Sequence, residues 1–342
     1  MRTGARVMIT RACPRGWWVP LGSRGYDTDS GHQLLNRSAR RPLNLRKGIA
    51  VAGTPAIEHA VIIAGGRGTR MLPATRALPK EFLTVADRPL IQHAVEEAIA
   101  CGARRVVIVA SPRSLPMMRD HFAPLTEAER QEPRLASIRA IQERAEVVFA
   151  VQERADGTGP ATLLAEPLVE GARFLLILPD ILYTPASPGP ELAATAARLG
   201  GGSVIAVRRV TPEAYDRYGL VEGEAVEDGT VRLRTVDEKP GARYTTPSAL
   251  GITGRYLLEP GIFDALRATP PGVGGEVHIT DAIALLAARE PVFARTCEGD
   301  HYDAGNPVGF IAGSLARALE DPALRGALRD AVTPILDAAR EG

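Results

Sequence analysis

From His59 onward, short continuous apolar runs alternate with amphipathic stretches. His59–Ala64 is almost wholly apolar, as a strand buried on both faces should be. It runs directly into the glycine-rich stretch Gly65–Arg70. Leu90–Cys101 carries its apolar residues at helical spacing and meets Gly102, a residue suited to closing a helix. Arg105–Ala110, Val147–Val151, Phe174–Leu178 and Ser203–Val210 read as further strands. Residues 114–145, Ala161–Val169 and Leu192–Leu199 read as the helices between them. This alternation predicts an α/β fold, a mostly parallel mixed sheet flanked by helices on both faces. After Val210 the pattern loosens. Val231–Val236 alternates with period two, and Ala249–Leu258 is a second strand candidate. Helices are expected at Ile262–Leu266, Thr280–Arg289, Phe310–Leu319 and Ala323–Ala339. The second half therefore reads as a small helical and β elaboration of the first.

Residues 1–57 show neither period. They hold ten basic and two acidic side chains, whereas the remainder holds 31 basic and 38 acidic. The net charge of +1 is thus the sum of two unlike segments and gives no global reason to expect nucleic acid. A basic, unstructured tail over 1–57 ahead of one domain over 58–342 is the expectation. An Arg-rich, acid-poor start also fits an organelle transit peptide, but the continuous apolar segment of a secretory signal is missing. No apolar run approaches the roughly 20 residues of a membrane helix. Cys13, Cys101 and Cys297 are odd in number and widely spaced, which suits reduced thiols and a cytoplasmic protein.

The chemistry concentrates after the first strand. Gly65, Gly66 and Gly68 form a loop that can bring backbone N–H groups against phosphate oxygens. Thr69, Arg70, Arg76 and Lys80 follow closely, and polyphosphate is the ligand that best uses so many donors and so much positive charge. Two common phosphate motifs do not fit. Gly68 is followed by Thr69 and Arg70 rather than Lys and Ser/Thr, and Met71 stands where a dinucleotide fingerprint needs its third glycine. The stretch Gly65–Glu81 instead resembles the signature of the sugar-1-phosphate nucleotidylyltransferases. Its tail Met71-Leu72-Pro73-Ala74-Thr75 and its Pro79-Lys80-Glu81 are similar to those of the bacterial UTP–glucose-1-phosphate uridylyltransferases in particular. The resemblance extends over about residues 59–320. It implies a Rossmann-like nucleotidyltransferase in which a sugar phosphate attacks the α-phosphorus of a nucleoside triphosphate and pyrophosphate leaves. Arg70 and Lys80 would neutralise the charge developing on the leaving group.

Three further segments take their roles from the same resemblance. Gln152 and Gly157, in Gln152–Ala161, would read the uracil; Glu153 and Pro160 depart from the family's Gly and His there. Asp180, after the strand ending in Leu178, could cap a helix, or sit at the carboxyl strand end where α/β folds bind ligands. The family makes it a magnesium ligand, with Asp303 as the second carboxylate. Pro307 stands where the family commonly has Lys. Glu238 and Lys239, in Asp237–Pro240, could be an ordinary solvated pair. The resemblance places Glu238 and Gly219 on the sugar and Lys239 on its phosphate, work that suits a hydroxyl-accepting carboxylate and a compact ammonium. Glu276, Thr280 and Asp281 are equally suited to capping the helix that they begin.

The expected activity is therefore transfer of UMP from UTP to glucose 1-phosphate with Mg2+, in a homo-oligomer, dimer or tetramer, that binds neither nucleic acid nor membrane. A dTTP-dependent enzyme of the same fold and a catalytically silent nucleotide-sugar-binding paralogue are the competing readings. One compositional detail bears on the choice. Lys47, Lys80 and Lys239 are the only lysines among 41 basic residues, and the last two lie in the segments where the family binds phosphate.

Overall fold

The computed structural model describes residues 57–341; the expected tail, Ile57 apart, lies outside them. Ile57 itself is buried against the core of the domain that follows. The strands are β1 (His59–Ala64), β2 (Thr84–Val85), β3 (Arg88–Pro89), β4 (Arg105–Ala110), β5 (Glu146–Val151), β6 (Phe174–Ile177), β7 (Ile181–Thr184) and β8 (Ser203–Val210). They continue as β9 (Gly219–Glu227), β10 (Thr230–Glu238), β11 (Ala249–Leu258), β12 (Val292–Thr296) and β13 (Asp300–Asp303). Nine of them form one mixed sheet in the order β5-β4-β1-β6-β11-β8-β12-β10-β9.

The first half of that sheet is parallel, as the apolar runs predict: β5, β4, β1 and β6 all run together. The next neighbour differs from expectation. β11 inserts antiparallel between β6 and β8, so Ser203–Val210 is not the immediate parallel continuation of the series. β8 then pairs parallel with β12, and β10 and β9 close the far side antiparallel.

The helices are α1 (Leu90–Ala100), α2 (Leu115–His121), α3 (Glu127–Arg130), α4 (Ala136–Arg144), α5 (Thr158–Leu163), α6 (Glu166–Val169), α7 (Gly189–Arg198), α8 (Ile262–Ala268), α9 (Ile279–Ala287), α10 (Pro307–Glu320) and α11 (Pro322–Glu341). The single helical reading of 114–145 resolves into separate pieces. Pro124 and Pro133 interrupt it, because proline disfavours a helical conformation in the residue before it. Ala161–Val169 breaks likewise, with Pro167 in the first turn of its second piece.

Successive strand residues face opposite sides of the sheet. Ile62, Ile108 and Ile177 pack with α1 and α7 on one face. Val61, Val107 and Leu176 pack with α5, α8 and α9 on the other.

Between β6 and β7 the chain makes a short turn through Leu178, Pro179 and Asp180, and a buried arginine braces it. Arg255, on the neighbouring β11, is 1% exposed. It donates from Nη1 to the carbonyl of Leu178 at 2.9 Å and from Nη2 to that of Ile181 at 2.7 Å. Nε and Nη2 also clasp Glu97 of α1, at 2.6 and 2.7 Å. The Tyr183 ring lies 5.1 Å beneath the guanidinium. A buried pair of this kind is far costlier to break than to replace whole, since the surviving charge stays desolvated. Arg255→Met should therefore lose about 3–5 kcal/mol of stability, and adding Glu97→Met should restore much of it. Urea denaturation of the parent, single and double variants checks this; a single variant as stable as the parent would contradict it.

Candidate functional site

The glycine-rich loop leaves the carboxyl end of β1 and folds into three single turns, Thr69–Met71, Ala74–Arg76 and Lys80–Phe82. Gly68 sits at φ +65°, in the left-handed region that favours glycine, and its carbonyl accepts from Thr75 Oγ1 at 2.8 Å. That bond folds the loop back on itself. Lys80 then lies over Gly66 and Gly68: a Cβ at Gly66 would stand 3.5 Å from the ammonium, and one at Gly68 3.1 Å from the Lys80 Cβ. Thr69 and Arg70 remain exposed at the loop's rim.

Three chain segments meet here. Lys80 Nζ donates to Asp180 Oδ2 at 2.6 Å, which ties the loop to the turn after β6. Arg70 Nη1 donates to Asp303 Oδ2 at 2.8 Å, which ties it to the end of β13. The backbone N–H of Gly305 donates to Asp303 Oδ1 at 2.9 Å. A Cβ on Gly305 would stand 2.6 Å from Arg70 Nη2, 2.9 Å from Asp303 Oδ1 and 3.0 Å from Asp180 Oδ2. The two carboxylates and the arginine thus surround one small point. Asp180 caps no helix; it opens β7 instead, and its carbonyl accepts from Ala304 N at 2.7 Å.

The electrostatics follow from this packing. Burial alone would raise the Asp180 carboxyl, but Lys80 and Arg70 hold it below the usual carboxylate range. Burial alone would lower the Lys80 ammonium, but Asp180 and Glu81 leave it above its ordinary value. Glu81 shares this environment without such a contact. It is 2% exposed, its Oε1 has no hydrogen-bond partner, and burial pushes its carboxyl up to about 7 against the opposing pull of Lys80.

Two oxygen donors facing one point suit a hard divalent cation. Among the described residues no group of three or more His, Cys, Asp or Glu is placed to hold a metal. A cation between Asp180 and Asp303 would therefore complete its shell from bound phosphates and water, as Mg2+ commonly does.

Gln152 follows β5 at the same carboxyl edge of the sheet, with β4 between it and β1. It is 6% exposed, and its Nε2 donates to Asp156 Oδ1 at 2.9 Å and to the Gly157 carbonyl at 3.0 Å. Its Oε1 occupies the space that a Cβ on Gly65 would need, so any larger residue at Gly65 would collide with it. Gly157, at φ +119°, presses its Cα against the Val277 carbonyl, where only glycine fits.

The residues expected to meet the sugar gather at the start of β9 and the end of β10. A Cβ on Gly219 would stand 3.1 Å from Glu238 Oε2 and 2.9 Å from Thr280 Cγ2. Glu238 is 7% exposed, and Oε2 accepts from Thr280 Oγ1 at 2.8 Å while Oε1 accepts from Lys239 Nζ. So Glu238 and Lys239 are no ordinary solvated pair, since the carboxylate is buried and shared. Lys239 also has a left-handed backbone, φ 45°, an uncommon conformation for a residue with a side chain. Of the three suggested capping residues, Thr280 is taken by Glu238 instead. The cap that the sequence did not suggest is Thr158, whose Oγ1 accepts from Ile279 N at 3.0 Å.

The two ends of the site are linked through Tyr218, just before Gly219. Its hydroxyl lies 3.1 Å from His301 Nε2, on the strand that ends in Asp303. Arg208 Nη1 lies 2.9 Å from His301 Nδ1. Burial first, then Arg208, lower the imidazole to about 4, so it is neutral near pH 7 and can accept from the guanidinium.

Residues 59–318 match the family described as nucleotidyl transferase. The chain belongs to the nucleotidyl transferase family. The UTP–glucose-1-phosphate uridylyltransferase of Pseudomonas aeruginosa is 37% identical over 75% of this chain and 94% of its own length. A crystal structure of a UDP-glucose pyrophosphorylase complexed with UDP-glucose is 34% identical, covers 78% of this chain and all of its own, and superposes with a TM-score of 0.71. The UTP-bound enzyme of that kind from Acinetobacter baumannii is 29% identical, covers 81% of this chain and 98% of its own, with a TM-score of 0.70.

Glu81 gives this site a pH signature. Its folded value of about 7 lies above its ordinary 4.5, so the stability it contributes is present below 4.5 and is lost as pH rises through 7. Glu81→Gln should remove that loss, so the variant gains on the parent between pH 5 and 7.5. Urea midpoints of the metal-free proteins across that window check this; parallel profiles would contradict it.

Proposed function

We propose that this chain transfers UMP from UTP to glucose 1-phosphate, releasing pyrophosphate. The observation that carries this reading is the meeting of Arg70, Lys80, Asp180 and Asp303 around Gly305. Two cations and two carboxylates beside a glycine-rich loop are what a triphosphate and a divalent metal together require. The kinship with uridylyltransferases supports UTP and glucose 1-phosphate as the pair of substrates.

In this reading Gly65, Gly66, Gly68 and Thr69 cradle the triphosphate, and Gln152 and Gly157 form the wall that faces the base. Gly219 and Glu238 receive the sugar hydroxyls, and Lys239 the sugar phosphate. A phosphate oxygen of the sugar phosphate attacks the α-phosphorus in line, the bond to the β-phosphate breaks, and pyrophosphate leaves with the bonding pair. Arg70 and Lys80 take up the negative charge that develops on it. Mg2+ held by Asp180 and Asp303 would draw charge from the phosphates. Because the two carboxylates hold Lys80 and Arg70 before substrate arrives, the cations are already aimed at the phosphate site.

We infer further that residues 57–342 form the catalytic unit, that residues 1–56 are dispensable to it, and that it works in the cytoplasm as a homo-oligomer. Among the described residues no helix is long and apolar enough to cross a membrane.

Initial rates of magnesium-dependent pyrophosphate release test the proposal. The rate with UTP and glucose 1-phosphate should exceed that with dTTP by at least an order of magnitude. A dTTP preference would favour the thymidylyl reading. Binding of UDP-glucose with no pyrophosphate released would favour the silent paralogue.

A further inference from the structure

We propose that Asp156 sets the base selectivity of the nucleotide site by fixing which end of the Gln152 amide faces the base. The inference rests on the reading of Gln152 as the base contact. A primary amide carries two N–H donors on its nitrogen and an acceptor on its oxygen. Here both donors are engaged, one by Asp156 Oδ1 at 2.9 Å and the other by the Gly157 carbonyl at 3.0 Å. A carboxylate oxygen and a backbone carbonyl can only accept. Turning the amide over would set its oxygen against both, so chemistry dictates the orientation. The Oε1 atom is consequently the end directed at Gly65, toward the phosphate loop.

Asp156 is itself held in place. Its backbone N–H donates to the Arg154 carbonyl at 3.0 Å, and its carbonyl accepts from Val277 N at 3.1 Å. Gln152 is anchored too, its backbone N–H donating to the Ala110 carbonyl at 2.8 Å. The pair therefore presents a rigid acceptor with no donor to spare. An acceptor suits a base whose edge offers an N–H, as the N3 of uracil does. Cytosine has a lone pair at N3, so acceptor would face acceptor, and a buried acceptor left unmatched is penalised. Selection by a site built for one hydrogen-bond pattern is stronger than selection by shape alone. Asp156 would touch no substrate; it is a positioning residue that acts through Gln152.

Dissociation constants of UTP and CTP, measured by titration calorimetry on the full chain with Mg2+, test this in the parent, Gln152→Ala, Asp156→Ala and Asp156→Asn. The parent should prefer UTP. Both Asp156 variants should lower the CTP-to-UTP ratio of dissociation constants by roughly tenfold, since alanine, or an asparagine that can turn its own amide to match, leaves only the Gly157 carbonyl to oppose a turned Gln152. Asp156→Asn, nearly identical in shape, decides the matter if Asp156→Ala fails to fold. If Gln152→Ala lowers the ratio and the Asp156 variants keep it, the inference is overturned while Gln152 remains the base contact. Equal weakening of both nucleotides in the Asp156 variants would mean a merely structural role and overturns it as well. If Gln152→Ala keeps the parent's ratio, the base reading itself fails and the inference falls with it.

Discussion

The site depends on one ion pair, Lys80 with Asp180, at 2.6 Å. Neither partner is freely solvated, and bringing both charges out of water is repaid only if they meet closely. That requirement pulls the long glycine loop down onto the turn after β6, where Gly66 and Gly68 leave room for the lysine stem. The turn must in turn be rigid, which is the task of Arg255 and Glu97 behind it. Loop, turn and brace come from β1, β6, β11 and α1, so one short contact draws on two of the four parallel strands, the antiparallel strand beside them and a helix.

The mixed topology explains how a second set of ligands reaches the same place. Parallel neighbours β1 and β6 deliver Gly65 and Asp180 at their carboxyl ends, where such sheets bind ligands. The antiparallel strands β9 and β10 then bring Gly219 and Glu238 side by side, since Glu238 pairs directly with Gly219 in the ladder. The contact between Tyr218 and His301 joins this second set to Asp303. Before any substrate binds, the positive and negative groups neutralise one another in pairs. In the proposed reaction, phosphate and metal would exchange partners with those pairs.

Much of this was legible in the sequence, for physical reasons that differ from segment to segment. Strands buried on both faces announce themselves as continuous apolar runs, so β1, β4, β6 and the first part of β8 were readable, and the half-buried edge strand β5 shows a similar run. Strands β7 and β13 are only four residues long and pair with each other outside the main sheet, so neither shows a usable period. Strand order was not readable either, because nothing local tells β11 to enter between β6 and β8. Among site residues, the placement of the two core lysines pointed to phosphate, and each now stands against a carboxylate. Arg255 gave no signal: a single arginine in an apolar strand reads as an exposed end, and its partners lie far along the chain. Asp156 was likewise hidden in an unremarkable turn, its role appearing only once Gln152 folds back over it.

In the proposed site Asp180 and Asp303 would hold the metal, and Lys80 and Arg70 keep the two carboxylates neutralised until phosphate arrives. Titration calorimetry of Mg2+ into the protein, with and without UTP, tests it most directly. Mg2+ alone should bind weakly, binding with UTP should be roughly tenfold tighter or more, and that enhancement should be lost in Asp180→Asn and in Asp303→Asn. Equally tight Mg2+ binding with and without UTP, or an enhancement that survives both substitutions, would contradict it.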